Sequence, residues 1–375
     1  MIYFDSAAST LPCVEALEAF RLASTDIYAN PSSAHAFGRL GARKMDEVRK
    51  KVLDVFGVGS THQAIFLSGA TEGNNLALKG VALSYANRGK KILVSSVEHP
   101  SVTEPCKYLE SLGFEIVKLP VSEKGVVEPE TLERHMDKDV ILVSVMGVNN
   151  ETGAKNDLEA LAKIVHRYPK AFFHSDLTQA IGKVDVSYAN LDLFTFSAHK
   201  IHGIKGVGAL VMKKNIRPVP SSHGGGQEYG FRSGTESLPL AESLLAALQR
   251  AASNRAQDEA HARELWDALY AGLQGEEVHV NSTRDGSPFV FNFSLLRHRA
   301  SVIVEALSQK EIYVSSLSAC SSRTDKASPT LQAMGLREEL CANAIRVSFD
   351  ESNTLEEVET FLAVLRQLLK EVHPR

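Results

Sequence analysis

The sequence predicts an α/β protein: a mostly parallel sheet covered by helices on both faces, followed by a smaller α+β unit. Three observations predict it. Short apolar runs at 64–67, 91–95, 140–146, 171–175, 191–196 and 207–212 alternate with helical patterns, the signature of successive βαβ units. The runs are largely apolar from end to end, as expected of strands buried on both faces. After a glycine-rich loop, Gly224-Gly225-Gly226, one long helical stretch at 238–273 leads to strand candidates at 289–293, 312–316 and 344–349 with helices between and after them.

The residues just past each strand candidate matter most, because in an open α/β sheet a ligand sits outside the carboxyl ends of the strands. The run 64–67 ends on Ser68-Gly69-Ala70-Thr71-Glu72, where small residues open a helix and expose backbone N–H groups suited to a phosphate. The run 91–95 leads to Glu98-His99-Pro100, with the proline placed to start a helix and the histidine just before it. The run 140–146 leads to Asn149-Asn150-Glu151, 171–175 ends against Asp176 with Gln179 about one helical turn later, and 191–196 leads to Ser197-Ala198-His199-Lys200. Taken singly, each has a structural explanation: a turn, an N-cap, a core histidine. Five successive strand ends supplying such groups are not explained that way.

A strand-end lysine and a strand-end carboxylate are the groups that pyridoxal phosphate chemistry demands: an amine for the Schiff base and an anion to keep the pyridine nitrogen protonated. A dinucleotide fits less well, since no GxGxxG follows a strand. The remaining composition narrows the class. The chain has 375 residues, 44% hydrophobic and 23% charged, and a net charge of -4, which gives no reason to expect a nucleic-acid partner or an anionic membrane surface. No apolar run approaches the roughly 20 residues of a membrane span, and Met1-Ile2-Tyr3-Phe4-Asp5 lacks the basic and apolar regions of a leader, so the expected compartment is the cytosol. Length and the change of pattern predict a large domain at about 15–250 and a small α+β domain at about 251–375, joined by the N-terminal segment 1–14.

Cys13, Cys106, Cys320 and Cys341 form no CxxC pair, so neither a disulfide framework nor a metal site is expected. Buried core thiols are the expected fate of Cys13, Cys106 and Cys341. Cys320 differs, because Ser315-Ser316-Leu317-Ser318-Ala319-Cys320-Ser321-Ser322-Arg323 reads as a mobile polar loop after a strand, with Arg323 placed to favour a thiolate.

On these residues the chain resembles the PLP-dependent cysteine desulfurases of the NifS/IscS-like group, within the class V aminotransferases. The resemblance runs from Asp5-Ser6-Ala7-Ala8 and Asn30-Pro31-Ser32-Ser33 through the five strand ends to Arg232-Ser233-Gly234-Thr235 and Ser318-Ala319-Cys320, nearly the whole chain. It implies the fold type I architecture of PLP-dependent transferases, with a large domain built on a seven-stranded-type sheet. It implies that Lys200 forms the internal aldimine and moves protons at the substrate carbon, that Asp176 pairs with the pyridinium nitrogen, and that His99 stacks on the ring. Asn150 and Gln179 would hydrogen-bond around it, Gln179 at the phenolic oxygen, while Ala70, Thr71, Ser197 and His199 would hold the phosphate. Thr235 would reach the phosphate of a neighbouring subunit in a homodimer, and Arg346, with Asn30 nearby, would grip the substrate carboxylate.

The activity so implied converts L-cysteine to L-alanine and leaves the sulfur on Cys320 as a persulfide for an acceptor protein, in iron-sulfur cluster assembly, tRNA thiolation or another sulfur pathway. A selenocysteine lyase or an aminotransferase on the same scaffold is the alternative, and a sulfur-carrier subunit without chemistry is a third reading that the intact Lys200, Asp176, His99 and Cys320 disfavour. The chain departs from the family's usual pattern at Ala198 (commonly Gly), Ile204 (often Pro), Tyr229 (frequently Arg) and Asp350-Glu351 (a Gly-Arg-like pair).

Overall fold

The computed structural model describes residues 1–316 and 327–373. Its strands, in chain order, are β1 (Ile2–Tyr3), β2 (His62–Leu67), β3 (Lys91–Ser95), β4 (Glu115–Leu119), β5 (Val140–Ser144), β6 (Phe172–Asp176), β7 (Leu193–Ser197), β8 (Gly208–Lys213), β9 (Val278–Val280), β10 (Val290–Leu295), β11 (Ile312–Tyr313), β12 (Ser315–Ser316) and β13 (Ala344–Ser348). The large sheet has seven strands in the order β2-β8-β7-β6-β5-β3-β4, and a four-stranded sheet follows the order β12-β13-β10-β9. The fold is therefore the α/β class expected.

Two details of the large sheet differ from the sequence reading. Strand β8 runs antiparallel to both neighbours, β2 and β7. The reason is local: only residues 198–207 join β7 to β8, too few for the crossover that a parallel return requires. Strand β4 is absent from the expected strands because Glu115-Ile116-Val117-Lys118-Leu119 is not an apolar run. It lies at the sheet edge, paired only with β3, and its Glu115 and Lys118 are exposed.

The stretch expected as one strand at 312–316 divides. Its first half, β11, pairs in parallel with β1, and its second half, β12, pairs with β13. Asp5 continues this N-terminal connection with a bridge to Ser348. Short strands such as β1 and β9 carry too few residues for a periodic signal.

The long helix Leu238–Gly272 matches its expected span and serves two cores. Its first half buries Ala241, Leu244, Leu245, Leu248 and Ala251 in the cluster that covers one face of the large sheet. Its second half buries Leu265, Trp266 and Leu269 in another cluster, with Phe4, Phe291, Phe293, Val347 and Phe361. At about 1.5 Å per residue, its 35 residues span roughly 50 Å, enough to tie the two together. Among the described residues no helix is long and apolar enough to cross a membrane.

The cysteines divide as well. Cys106 and Cys341 are buried as expected, and burial pushes the Cys106 thiol up to about 12. Cys13 corrects the expectation: it is only half-buried, at the start of the helix Val14–Asp26, where the chain enters from the surface. Cys320 lies outside the described residues.

Candidate active site

Strands β2, β3, β5, β6 and β7 all present their carboxyl ends to one edge of the large sheet, as their register shows. That edge collects Ala70, His99, Asn150, Asp176, Ser197 and Lys200 from segments far apart in sequence.

Asp176, the last residue of β6, is buried and is held by two donors. Its Oδ1 accepts from the Thr178 backbone N–H at 2.9 Å and its Oδ2 from Asn74 Nδ2 at 2.7 Å. A carboxylate offers about four lone-pair sites, so this anion keeps acceptor capacity toward the site. Asn74 is the centre of a wider network: Nδ2 also donates to Ser101 Oγ at 2.8 Å, and Oδ1 accepts from Thr195 Oγ1. Gly73 makes this possible, since a Cβ there would lie 2.9 Å from Thr195 Cγ2 and hold the helix Ala70–Asn75 off β7.

The same network fixes His99. Its Nδ1 accepts the Ser101 backbone N–H at 3.1 Å and lies 2.8 Å from Ser101 Oγ, capping the helix Pro100–Ser111. A ring nitrogen that accepts carries no proton, so the proton belongs on Nε2. Loss of water around the ring lowers the His99 pKa, opposed by Asp176 and reinforced by Lys200. His99 therefore presents a neutral flat ring. Beside it, Glu98 Oε1 accepts from Ser95 Oγ (2.6 Å) and the Met146 N–H (2.7 Å), joining the ends of β3 and β5, and burial pushes this carboxyl up to about 8.

Lys200 is held from the N-terminal segment: its Nζ donates to the Ala7 and Ala8 carbonyls, each at 2.6 Å. Gln179 Nε2 donates to the same Ala7 carbonyl at 2.8 Å, and Gln179 Oε1 accepts from Lys183 Nζ at 3.0 Å. His199 Nδ1 lies 3.3 Å from Ser9 Oγ, and burial together with Lys200, Lys205 and Lys183 takes its pKa down to about 4. At the end of β7, Ser197 Oγ accepts the Ala70 backbone N–H at 2.8 Å, which joins the two segments expected to bind phosphate; Thr71 follows on the exposed first turn.

Arg346, on β13, is buried at 4% exposure. Its Nη1 donates to the Asn150 carbonyl at 3.0 Å, and its Nη2 donates to Asp5 Oδ1 at 2.8 Å and Ser315 Oγ at 3.2 Å. Its Nε–H is buried without a hydrogen-bond partner among the described residues, an open donor on a fixed cation. Glu151, next to Asn150, accepts from Ser328 Oγ. Asn30 and Thr235 are brought together elsewhere, lining a cleft of about 250 Å3 with Tyr28 and Pro31.

Several site residues gave no sequence signal. Asn74, Ser101 and Thr195 are polar residues inside helices or strands, and Lys183 reads as an ordinary surface lysine. The Ala7 and Ala8 carbonyls are backbone atoms that any sequence would offer. The donor set fits a phosphorylated pyridine aldehyde: an amine at Lys200, a buried anion at Asp176, a flat neutral ring at His99, and the helix start and hydroxyl at Ala70 and Ser197.

Comparison with known proteins agrees with this geometry. The family model for class V aminotransferases matches residues 2–361. A NifS/IcsS protein homolog from Lactobacillus delbrueckii subsp. bulgaricus is 39% identical over 378 residues, covering 98% of this chain and 97% of that protein. The cysteine desulfurase IscS of Dictyoglomus turgidum is 36% identical over 376 residues, covering 99% and 95% of the two chains. Among solved structures, a NifS-like protein superposes with a TM-score of 0.91 at 35% identity, covering 99% of this chain and 100% of that one.

Proposed function

The chain belongs to the class V aminotransferase family, in its NifS/IscS cysteine desulfurase group, and from that premise we propose that it is a pyridoxal phosphate enzyme taking the sulfur of L-cysteine onto Cys320 and releasing L-alanine. The observation that carries the reading is the convergence of Lys200, Asp176 and His99 on one sheet edge, with Asp176 and His99 joined through Asn74 and Ser101. The cofactor, when bound, withdraws electrons from the substrate's α carbon. Lys200 supplies the amine that holds it and moves the proton at that carbon. Asp176 keeps a negative charge at the pyridine nitrogen, His99 lies against the ring, and Gln179 and Asn150 hydrogen-bond around it. Ala70, Thr71, Ser197 and His199 hold the phosphate.

Arg346, a fixed cation on β13, binds the substrate carboxylate. The Cys320 thiolate attacks the substrate Sγ: an S–S bond forms, the Cβ–Sγ bond breaks, its electron pair stays with carbon, and a proton completes the alanine methyl. The product on the enzyme is a Cys320 persulfide, which an acceptor protein consumes.

The enzyme works as a cytoplasmic homodimer in which Thr235 serves the partner's phosphate site. Support comes from the exposed Tyr28 (76%), an apolar side chain that lines the Thr235 cleft. The division into a large domain at about 15–250 and a small one at 251–375 with 1–14 has its support in the two separate cores on the long helix.

The test is alanine formation from cysteine. Cys320→Ala should abolish it while the cofactor's absorbance band persists, and Lys200→Ala should remove the lysine-linked band. Retained turnover in Cys320→Ala would overturn the reading. Radiolabelled sulfur transferred from Cys320 then identifies the acceptor.

A further inference from the structure

Lys183 is 7% exposed, yet among the described residues no carboxylate pairs with its ammonium. Its Nζ donates to Gln179 Oε1 at 3.0 Å and lies 5.9 Å from the centre of the Phe289 ring. Such a placement is costly, since a buried amine needs compensation that one amide oxygen only partly supplies. The surrounding charge does not remove the cost. Lys200 and Arg346 oppose its positive charge while Asp350 and Glu351 favour it, and burial is the largest influence, taking its pKa down to about 7. His202, Arg250 and Asp258 line the same small cavity.

The local backbone is built to place this lysine. Gly182 adopts φ +71, and a Cβ there would lie 2.6 Å from Ala251 Cβ, so the turn carrying Lys183 packs directly on the long helix. The turn connects Gln179 to Lys183, one helical turn apart, and aims both inward.

The contact orients an amide. With Oε1 committed to Lys183, Gln179 must direct Nε2 the other way; one of its N–H groups goes to the Ala7 carbonyl, which Lys200 also contacts, and the second remains to face the site. The reverse orientation would aim an oxygen at Ala7 O and at any anionic oxygen bound there. We propose that Lys183 is a positioning residue: it fixes the Gln179 side chain as a donor toward the cofactor's phenolic oxygen and so sets the proton affinity of the lysine-linked cofactor. The inference rests on the proposed cofactor and extends its site to Lys183, which acts through Gln179.

The direction is set by charge. A hydrogen bond donated to the phenolic oxygen stabilises its anionic form, and a nearby ammonium disfavours a further positive charge, so both effects lower the cofactor's proton affinity. Lys183→Met removes both. The experiment reads the pH midpoint of the cofactor absorbance change in holoprotein, for wild type, Lys183→Met, Gln179→Leu and the double variant. Each single variant should raise the midpoint by about 0.5–1 unit, three- to tenfold in proton affinity, and the double variant should not exceed the larger single shift. An unchanged midpoint in Lys183→Met while Gln179→Leu moves it, or additive shifts in the double variant, would overturn the proposal. Should Lys183→Met fail to fold, Gln179→Glu makes the same test: its carboxylate still accepts from Lys183 but offers no N–H to the phenolic oxygen, so the midpoint must rise, and a wild-type value overturns the inference. A wild-type holoprotein with no lysine-linked band would instead overturn the cofactor reading, and this inference with it.

Discussion

Two polar clusters lie on either side of the N-terminal segment, and they handle charge in opposite ways. At the seam between that segment, the loop after Lys200 and the turn after β13, Glu351 pairs with two groups of opposite charge, His202 and Arg250. His202 Nε2 meets Glu351 Oε2 at 2.9 Å, Arg250 Nη2 meets Glu351 Oε1 at 2.8 Å, and the His202 backbone N–H and Nδ1 bond to Thr10 and Leu11. Despite burial, these contacts hold Glu351 down to about 2 and raise His202. In the site the pattern inverts. Glu98 is pushed up to about 8 and His199 taken down to about 4, burial being the first cause of each, and among the described residues Asp176 is bonded by neutral donors alone. The seam satisfies its hydrogen-bonding capacity internally and so stabilises the fold. The site keeps lone pairs and protons open for a ligand.

The sharpest way to break this contrast is Asp176→Ala, which removes the one anion of the Asn74 network and leaves its donors unpaired. Alanine formation should fall on the order of 10²–10³-fold, with weakened cofactor retention read by absorbance. Asn74→Ala comes next. It leaves Asp176 with a single donor, a loss of about 1.5–3 kcal/mol for a bond to a charged group, so cofactor affinity should fall roughly 10- to 100-fold in an equilibrium titration.

At the seam the expected effect falls on stability and varies with pH. The Glu351 pKa is depressed in the fold, so its contribution is present above its unfolded value, about 4.5, and is lost as pH falls toward 2. The His202 pKa is raised, so its contribution is complete below about 6.5 and is lost as pH rises through its folded value. Glu351→Gln should therefore lower the melting temperature most between about pH 4.5 and 6.5, by on the order of 1–3 °C, with the difference fading at more acidic pH. A pH-independent difference would show that the seam is held by packing alone.

The smallest effect belongs to a device outside both clusters. Thr354 caps the helix Leu355–Glu371 in a reciprocal capping box with Glu357, and Thr354→Ala should cost about 1 kcal/mol in a denaturant melt with alanine formation unchanged.

How far these two regions are legible in the sequence depends on how local their signals are. Lys200, Asp176 and His99 stand out because each comes after an apolar run, and strand ends in an α/β sheet are where ligands bind. Asn74 does not stand out: its partners Ser101, Asp176 and Thr195 are 27, 102 and 121 residues away, and nothing within its own helix marks it. Lys183 is hidden for the converse reason. Its partner Gln179 is close in sequence, but only the packing of Gly182 on Ala251 shows that the lysine is buried. Strand β4 escapes because an edge strand exposes part of itself and need not be apolar. The seam is visible only as a departure, Asp350-Glu351, without its partners.

The sequence by itself determined the fold class, the span of the long helix and the residue types at five strand ends, because burial and periodicity are local properties. Only the tertiary structure decided which way β8 runs, which donors clamp Asp176, which way the Gln179 amide faces and why a lysine is buried beside it. Those depend on close approach between segments distant in sequence, where a difference of less than an ångström, such as the absent Cβ of Gly73 against Thr195, decides whether a contact exists.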